Sequence, residues 1–422
     1  MQKETIAIHG GYNNKEGWGT MNVPIAQTTA YAFRDAEHAA NLFALKELGS
    51  IYTRLTNPTT DVLEQRFAQL EGGAAAICTA SGQSAIFYAI ANVAEAGDNV
   101  IISDKLYGGA VTLLTYTMKR FGISTKVFKS ADASDLEEQI DDKTKAIFFE
   151  SLSNPQIAIA DVEKIVEIAK RNGVLTVCDN TVTSAALFNP IKWGVDVVVH
   201  STSKYTNGQG SGVGGIVVER DGLADFFKEN SERYYHFTQP DPSYHGLVYT
   251  DVPLPNFCLR IRLNLLRDIG ATQSPHNSWL LLQTIETLDI RMEKHSNSAL
   301  EVAKFLESNS KVKAVNYPGL ESSPYYEKAQ KYFKDGKASG LISFEVEDYE
   351  TAKKVIDSTK LFSVVVNIGD SKSLIVHPAS TTHSQMNETE LKEAGINPTT
   401  IRLSIGLENP ADLIEDLEQA LS

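Results

Sequence analysis

Two runs, VLTVCDN (174–180) and VDVVVHSTSK (195–204), carry the decision about fold. Each is a short, β-branched apolar stretch that breaks off into polar residues, the pattern of a strand buried on both faces. The first ends in Asp179-Asn180-Thr181, the second in Ser201-Thr202-Ser203-Lys204. Upstream, the same rhythm repeats. AAAICTA (74–80) is followed by the helical SGQSAIFYAIANVAEAG, NVIISD (99–104) by GGAVTLLTYTMKRFG, and AIFFES (146–151) by DVEKIVEIAKRNG. Strands of five to seven residues alternating with helices predict a parallel sheet covered on both faces, with the glycine-rich GIVV (215–218) closing the series.

Outside this core the chain changes character. Residues 1–55 are irregular and rich in Gly, Asn and Thr, so they form an arm that must lie against something larger. An amphipathic helix follows from Asp61 to Gly72. Residues 220–265 are aromatic, Pro-containing and aperiodic. Leu280 to Glu307 reads as one long helix, and GLISFEV, SLIVHP and IRLSIG as strands of a smaller α/β domain. The expected division is an arm (1–55), a large domain (56–265) and a C-terminal domain (266–422), tightly packed because no low-complexity linker separates them.

Composition narrows the function. The 422 residues are 42% hydrophobic and 22% charged, with 39 Lys+Arg against 53 Asp+Glu and a net charge of −14. That excludes a general nucleic-acid or acidic-membrane binder. No apolar run approaches the ~20 residues of a membrane span, and Met1 to Gly11 shows no long apolar stretch and no cleavage signature, so cytoplasm is the expected compartment. Cys78, Cys178 and Cys258 are odd in number and widely spaced, which rules out a disulfide framework. No His/Cys spacing suits a metal, and His377 and His383 are expected in turn or packing roles.

In a doubly wound sheet, ligands bind at the carboxyl ends of the strands. There Ser81-Gly82-Gln83 opens a helix, whose first N–H groups can cradle a phosphate. Tyr107 follows the next strand and offers a ring for stacking. Asp179 and Lys204 end neighbouring strands, with hydroxyls just before the lysine and the glycine-rich 208–215 after it. A lysine can form a Schiff base, an Asp can pair a protonated pyridine nitrogen, and hydroxyls can take phosphate oxygens. Those are the protein's contributions to pyridoxal-phosphate (PLP) chemistry.

The motifs YTRLTNPT, TASGQSAI, DKLYGG, FFESLSNP, CDNT, HSTSKYTNGQG, LIVHPASTTH and IRLSIGLE occur in that order. Together they resemble the Cys/Met-metabolism (transsulfuration) family of fold-type I PLP enzymes over essentially the whole chain. The resemblance implies pyridoxal 5′-phosphate as cofactor and a homotetramer of two tight dimers with shared active sites. It makes Lys204 the cofactor-bearing lysine and proton shuttle, Asp179 the pyridinium partner and Tyr107 the stacking ring. Ser81, Gly82, Gln83, Ser201 and Ser203 would form the phosphate cup, completed by Tyr52 and Arg54 of the neighbouring subunit. Asn154 would sit near the cofactor's phenolic oxygen and the substrate carboxylate, and Arg402 would clamp that carboxylate. Asn367 and Tyr52 are further substrate candidates.

Within the family, three features resemble its O-acetylhomoserine sulfhydrylases. Val366 stands where cystathionine enzymes tend to have a glutamate, Gly109 replaces a cysteine typical of methionine γ-lyases, and the 234–251 insertion matches YHF-TQP-YHG. The expected reaction is γ-replacement of O-acetyl-L-homoserine by sulfide, with the aromatic insertion narrowing the entrance. Methionine γ-lyase and cystathionine γ-synthase or lyase are the alternatives within the family. A non-catalytic scaffold would be expected to lose Lys204 or Asp179, and a nicotinamide-binding protein would place GSGVGG after its first strand.

Overall fold

The computed structural model describes residues 1–15, 19–130, 132–381 and 397–422; His383 falls outside them. Seven strands form the main sheet: β1 (Ala75–Thr79), β2 (Asn99–Ser103), β3 (Ser124–Phe128), β4 (Thr144–Glu150), β5 (Leu175–Asp179), β6 (Val197–His200) and β7 (Gly215–Glu219). Their order across the sheet is β1-β7-β6-β5-β4-β2-β3. The neighbours from β6 to β3 pair in parallel, and β7 alone runs antiparallel to β1 and β6. The physical reason lies in the connection. No crossover helix follows β6, so the loop 201–214 returns from the same end of the sheet and the next strand must run back.

Side chains of one strand alternate between two buried layers. Ile147 and Phe149 of β4 join one apolar cluster and Phe148 the other, as the two-residue period of a strand requires. A second sheet, in the order β10-β11-β12-β9-β8, comprises β8 (Ala314–Asn316), β9 (Leu341–Glu345), β10 (Ser363–Val364), β11 (Leu374–Val376) and β12 (Thr400–Ser404). Phe344 and Leu403 of this sheet belong to the same buried cluster as Ile147 and Phe149, so the two sheets share a continuous core.

Two helices differ from their expected bounds. The first spans Pro58–Glu71 because Asn57 caps it, its side chain accepting the Thr59 and Thr60 N–H groups, with Pro58 at the first helical position. Leu280–Glu307 is two helices, Pro275–Ile285 and Leu288–Ser308, the second entered through non-helical Thr287 at φ −110°, ψ 9°. All three cysteines are free and buried. His377 has the turn role expected of it. Its Nδ1 accepts the Ser380 N–H at 3.2 Å, and its Nε2 donates to the Pro398 carbonyl at 2.7 Å.

The aromatic insertion is anchored in the core, while its 239–240, 242–243 and 245–246 stretches stay exposed. Tyr234, Phe237 and Tyr249 are fully buried, and Phe237 stacks on Phe227 with ring centroids 3.9 Å apart at 11°. The Tyr234 hydroxyl accepts the Leu175 N–H at 2.7 Å and donates to the Lys145 carbonyl at 2.8 Å, stapling β5 to β4. None of its residues lines the cavity between the sheets, so the expected narrowing of the entrance does not occur within this chain. Tyr234→Phe leaves one N–H and one C=O without their buried partner, at a cost of about 2 kcal/mol. The expected outcome is a melting midpoint lowered by roughly 2–6 °C at fixed protein and cofactor concentration, with unchanged substrate KM.

Candidate active site

A cavity of about 350 Å³ opens where the carboxyl ends of the main sheet face the second sheet. The turn after β1 contributes Ser81, Gly82 and Gln83, the loop after β2 Tyr107, and β4 with its following loop Glu150 and Asn154. Asp179 comes from β5, Ser201, Ser203 and Lys204 from the loop after β6, and Asn367 and Arg402 from the C-terminal part. Every expected site residue is therefore gathered in one place except Tyr52 and Arg54, which lie on the arm. Tyr52 is 42% exposed, and Arg54 packs over its ring with its guanidinium 5.5 Å from the centroid.

At the cup end, Ser81 caps the helix Gly82–Ala91, its hydroxyl accepting the Ser84 N–H. The Ser81 side chain thus holds the helix in place, and the N–H groups of Gly82 and Gln83 are left without intrahelical acceptors. A Cβ on Gly82 would lie 2.5 Å from that of Ser201, so only glycine lets the β1 and β6 turns approach this closely. Ser203 exchanges hydrogen bonds with Gly214, accepting its N–H at 3.0 Å and donating to its carbonyl at 3.2 Å. In the glycine-rich run, Gly210 and Gly212 line the cavity, whereas Gly214 and Gly215 pack against protein at Gln273 and Ser81.

Asp179 opens to the cavity and is otherwise enclosed by protein. Its carboxylate accepts the Thr181 N–H at 2.9 Å, and no cation pairs with it among the described residues. Burial raises its pKa, opposed by the Thr181 hydrogen bond and the positive field of His200. His200 is itself fixed: its Nε2 lies 2.6 Å from the fully buried Glu71, whose carboxylate also accepts from Asn180 at 3.0 Å and Asn189 at 3.2 Å. Burial alone would raise the Glu71 pKa, but these partners hold it below the ordinary value.

At the opposite end, Arg402 is 3% exposed and burial lowers its pKa to about 10. One Nη donates to Asn154 Oδ1 at 3.2 Å, the other to the Asn367 carbonyl at 2.8 Å, and the buried Nε has no partner among the described residues. No carboxylate pairs with it among the described residues, so the guanidinium is available to an anionic ligand. Lys204 donates to Asn367 Oδ1 at 2.6 Å, and burial followed by the Arg402 charge lowers its pKa to about 8.

The residues fit PLP. An enclosed carboxylate without a cation suits a protonated ring nitrogen, a helix start with adjacent hydroxyls suits a phosphate, and a lysine of lowered basicity suits an aldehyde. Two wall residues lie within the motifs FFESLSNP and CDNT, yet the family resemblance gives them no role. Glu150 accepts the N–H groups of Tyr107 and Asn154, and the Thr181 hydroxyl accepts the Ser201 N–H at 2.8 Å. Glu150 ends β4 and Thr181 lies two residues past the end of β5, so applying the strand-end rule to every polar residue at and just beyond those ends would have found them.

Comparison with known proteins agrees. A family model described as Cys/Met metabolism PLP-dependent enzyme matches residues 4–422. An O-acetyl-L-homoserine sulfhydrylase of Leptospira meyeri is 46% identical over 99% of this chain and 96% of that protein. A homocysteine synthase of Schizosaccharomyces pombe is 42% identical over 99% and 97%. Among solved structures, a candidate O-acetylhomoserine (thiol)-lyase of Campylobacter jejuni, with N′-pyridoxyl-lysine-5′-monophosphate at its position 205, superposes with a TM-score of 0.98. It is 55% identical, and each chain is covered completely.

The lysine makes a pH prediction. Only a neutral amine attacks an aldehyde, so PLP capture by the cofactor-free chain should accelerate as pH rises through about 8 and level off above it. An ordinary lysine would still be gaining rate at pH ~10. Stopped-flow absorbance across the pH range checks this, with Lys204→Ala expected to yield no borohydride-trapped lysine adduct.

Proposed function

Because the chain belongs to the family of Cys/Met metabolism PLP-dependent enzymes, we propose that it replaces the acetyl group of O-acetyl-L-homoserine by sulfide, giving L-homocysteine and acetate. The observation that carries this reading is the cavity's charge layout. One free guanidinium faces an open space whose only carboxylates, among the described residues, are the deep Glu150 and Asp179. The names of the full-length relatives and the lysine adduct at position 205 of the neighbour, one number from Lys204, support it.

Bound in this cavity, pyridoxal 5′-phosphate supplies an electron sink for carbanions of an attached amino acid. Lys204 would hold its aldehyde carbon, Asp179 its ring nitrogen, and Tyr107 would cover one ring face. The Gly82 and Gln83 N–H groups and the Ser201 hydroxyl would hold its phosphate, joined by the Ser203 hydroxyl once that gives up its bond to the Gly214 carbonyl. Arg402, steadied by Asn154 and Asn367, grips the α-carboxylate of the substrate. Lys204 Nζ removes the Cα proton and later returns one; burial poises it near neutrality for both. Loss of a Cβ proton then supplies the electron pair that expels acetate as the Cγ–O bond breaks, HS⁻ adds at Cγ to form the C–S bond, and protons return to Cβ and Cα.

Selection of the nucleophile falls to Val366. It lines the cavity and is 54% exposed, so an ammonium beside it finds no counter-charge but keeps part of its hydration. Discrimination against cysteine is therefore about tenfold to a hundredfold, less than full burial would impose. Gly109 argues against the γ-lyase alternative: a Cβ there would sit 2.5 Å from Tyr107 Cε1, so a cysteine would displace the stacking ring. With O-acetylhomoserine present, sulfide should give homocysteine and cysteine little cystathionine, and Val366→Glu should shift the ratio towards cystathionine. Equal rates with both nucleophiles would contradict the assignment.

The assembly we propose is a cytoplasmic homotetramer with shared sites. Lys204 and Arg402 are the cavity's only lysine and arginine among the described residues, and neither belongs to the phosphate cup. The partner's arm would bring the missing charge as Arg54, next to Tyr52. Phe33, Phe43 and Leu48 leave apolar surface on that arm for a second copy to cover. Three buried free thiols suit a reducing compartment, and no helix among the described residues is long and apolar enough to cross a membrane. Arg54→Ala and Lys204→Ala should each be inactive. Random mixing makes about half the dimers hybrids with one complete site each, so about a quarter of the sites should recover. No recovery in demonstrated hybrids would place Arg54 in its own chain's service.

A further inference from the structure

Glu150 ends β4, is 6% exposed and forms part of the cavity wall, yet the proposed reaction gives it no task. Its oxygens are directed at backbone on two sides. Oε1 accepts the Tyr107 N–H at 2.7 Å, and Oε2 accepts the Asn154 N–H at 3.3 Å. It thereby bridges the loop after β2, which carries the ring-stacking candidate, and the loop after β4, which carries the Arg402 partner.

The position is a costly one for a carboxyl group. Asp179 is its Cα partner across β4 and β5, and burial together with the Asp179 charge pushes the Glu150 pKa well above the ordinary value. An apolar residue would escape that cost but satisfy neither N–H. Glutamine would present an acceptor to one loop and a donor to the other, where a donor meets a donor. Among side chains of this length, only a carboxyl group can present an acceptor on both arms, because even when protonated its hydroxyl oxygen can accept with the proton turned away.

We propose that Glu150 is a positioning residue that sets Tyr107 and Asn154 in register around the cofactor ring, acting through their backbones and touching neither cofactor nor substrate. This rests on the cavity being a PLP site. The two ideas fail separately: a wild-type chain that binds no PLP sinks the site, whereas a normal Glu150 variant sinks only the positioning role.

The test uses the holoenzyme and the isosteric Glu150→Gln variant. Losing one backbone hydrogen bond and gaining a donor–donor contact should weaken PLP binding about tenfold. The visible circular dichroism of the bound cofactor should change, because it reports how the ring sits against Tyr107, and kcat should fall more than KM moves. Glu150→Asp, which keeps both acceptors on a shorter arm, should recover part of the dichroism. A Glu150→Gln protein with wild-type dichroism and PLP affinity would overturn the proposal, even if it melted at a lower temperature. Should that variant fail to fold, hydrogen exchange on the wild-type holoenzyme decides. Protected Tyr107 and Asn154 amides support the bridge, and free exchange at both overturns it.

Discussion

Parallel pairing of β4, β5 and β6 is the constraint on which the site depends. Their hydrogen-bonded register makes Glu150 the partner of Asp179 and Asp179 the partner of Val199, so the three strands end at one level. β6 runs one residue past that level, to His200, before the loop carrying Lys204 begins at Ser201. Charged groups are therefore set by backbone ladders rather than by flexible side chains, which is what a preorganised polar site requires. Glu71 reinforces the arrangement from behind. Its carboxylate ties Asn180, just past the end of β5, to His200, the last residue of β6.

The electrostatics show where folding energy is spent. Glu71 is fully buried, but several donors satisfy it and its ionised form is favoured. Lys204, Arg402, Asp179 and Glu150 are enclosed without matching counter-ions, and each shifts towards its neutral form. A structure selected for stability alone would not keep such groups, since an unpaired buried charge destabilises. Their persistence together in one cavity marks a binding site for a ligand with complementary charges. The core on both faces of the main sheet, extended by the stacked Phe227 and Phe237, supplies the offsetting apolar burial.

Much of this was legible in the order of residues. Periodicity located the strands, and turn chemistry located Ser81-Gly82-Gln83 at a helix start. Strand ends drew attention to Asp179 and Lys204, and the motif order singled out Asn154, Asn367 and Arg402. Local signals misled where tertiary context overrode them. Asn57 and Pro58 mark an earlier helix start than the apolar stripe does, and Thr287 interrupts an apparently continuous helix. The aromatic run 234–251 looks like a functional loop because its period is irregular. Its Tyr234, Phe237 and Tyr249 are buried in the apolar layer that covers one face of the main sheet.

What the sequence determined by itself is the set of chemical groups and their placement along the strands, because both follow from local backbone preferences and a two-residue side-chain period. The tertiary structure alone decided which groups meet and in what protonation state. Arg402 lies 198 residues from Lys204 in the chain and reaches the same cavity only because the second sheet packs against the first. Glu150 gained a partner in Asp179 through strand register, and β7 took its direction from a loop too devoid of helix to cross over. Burial and charge proximity depend on distances that no spacing along the chain encodes, and those distances set the basicity of Lys204 and the reach of Arg402.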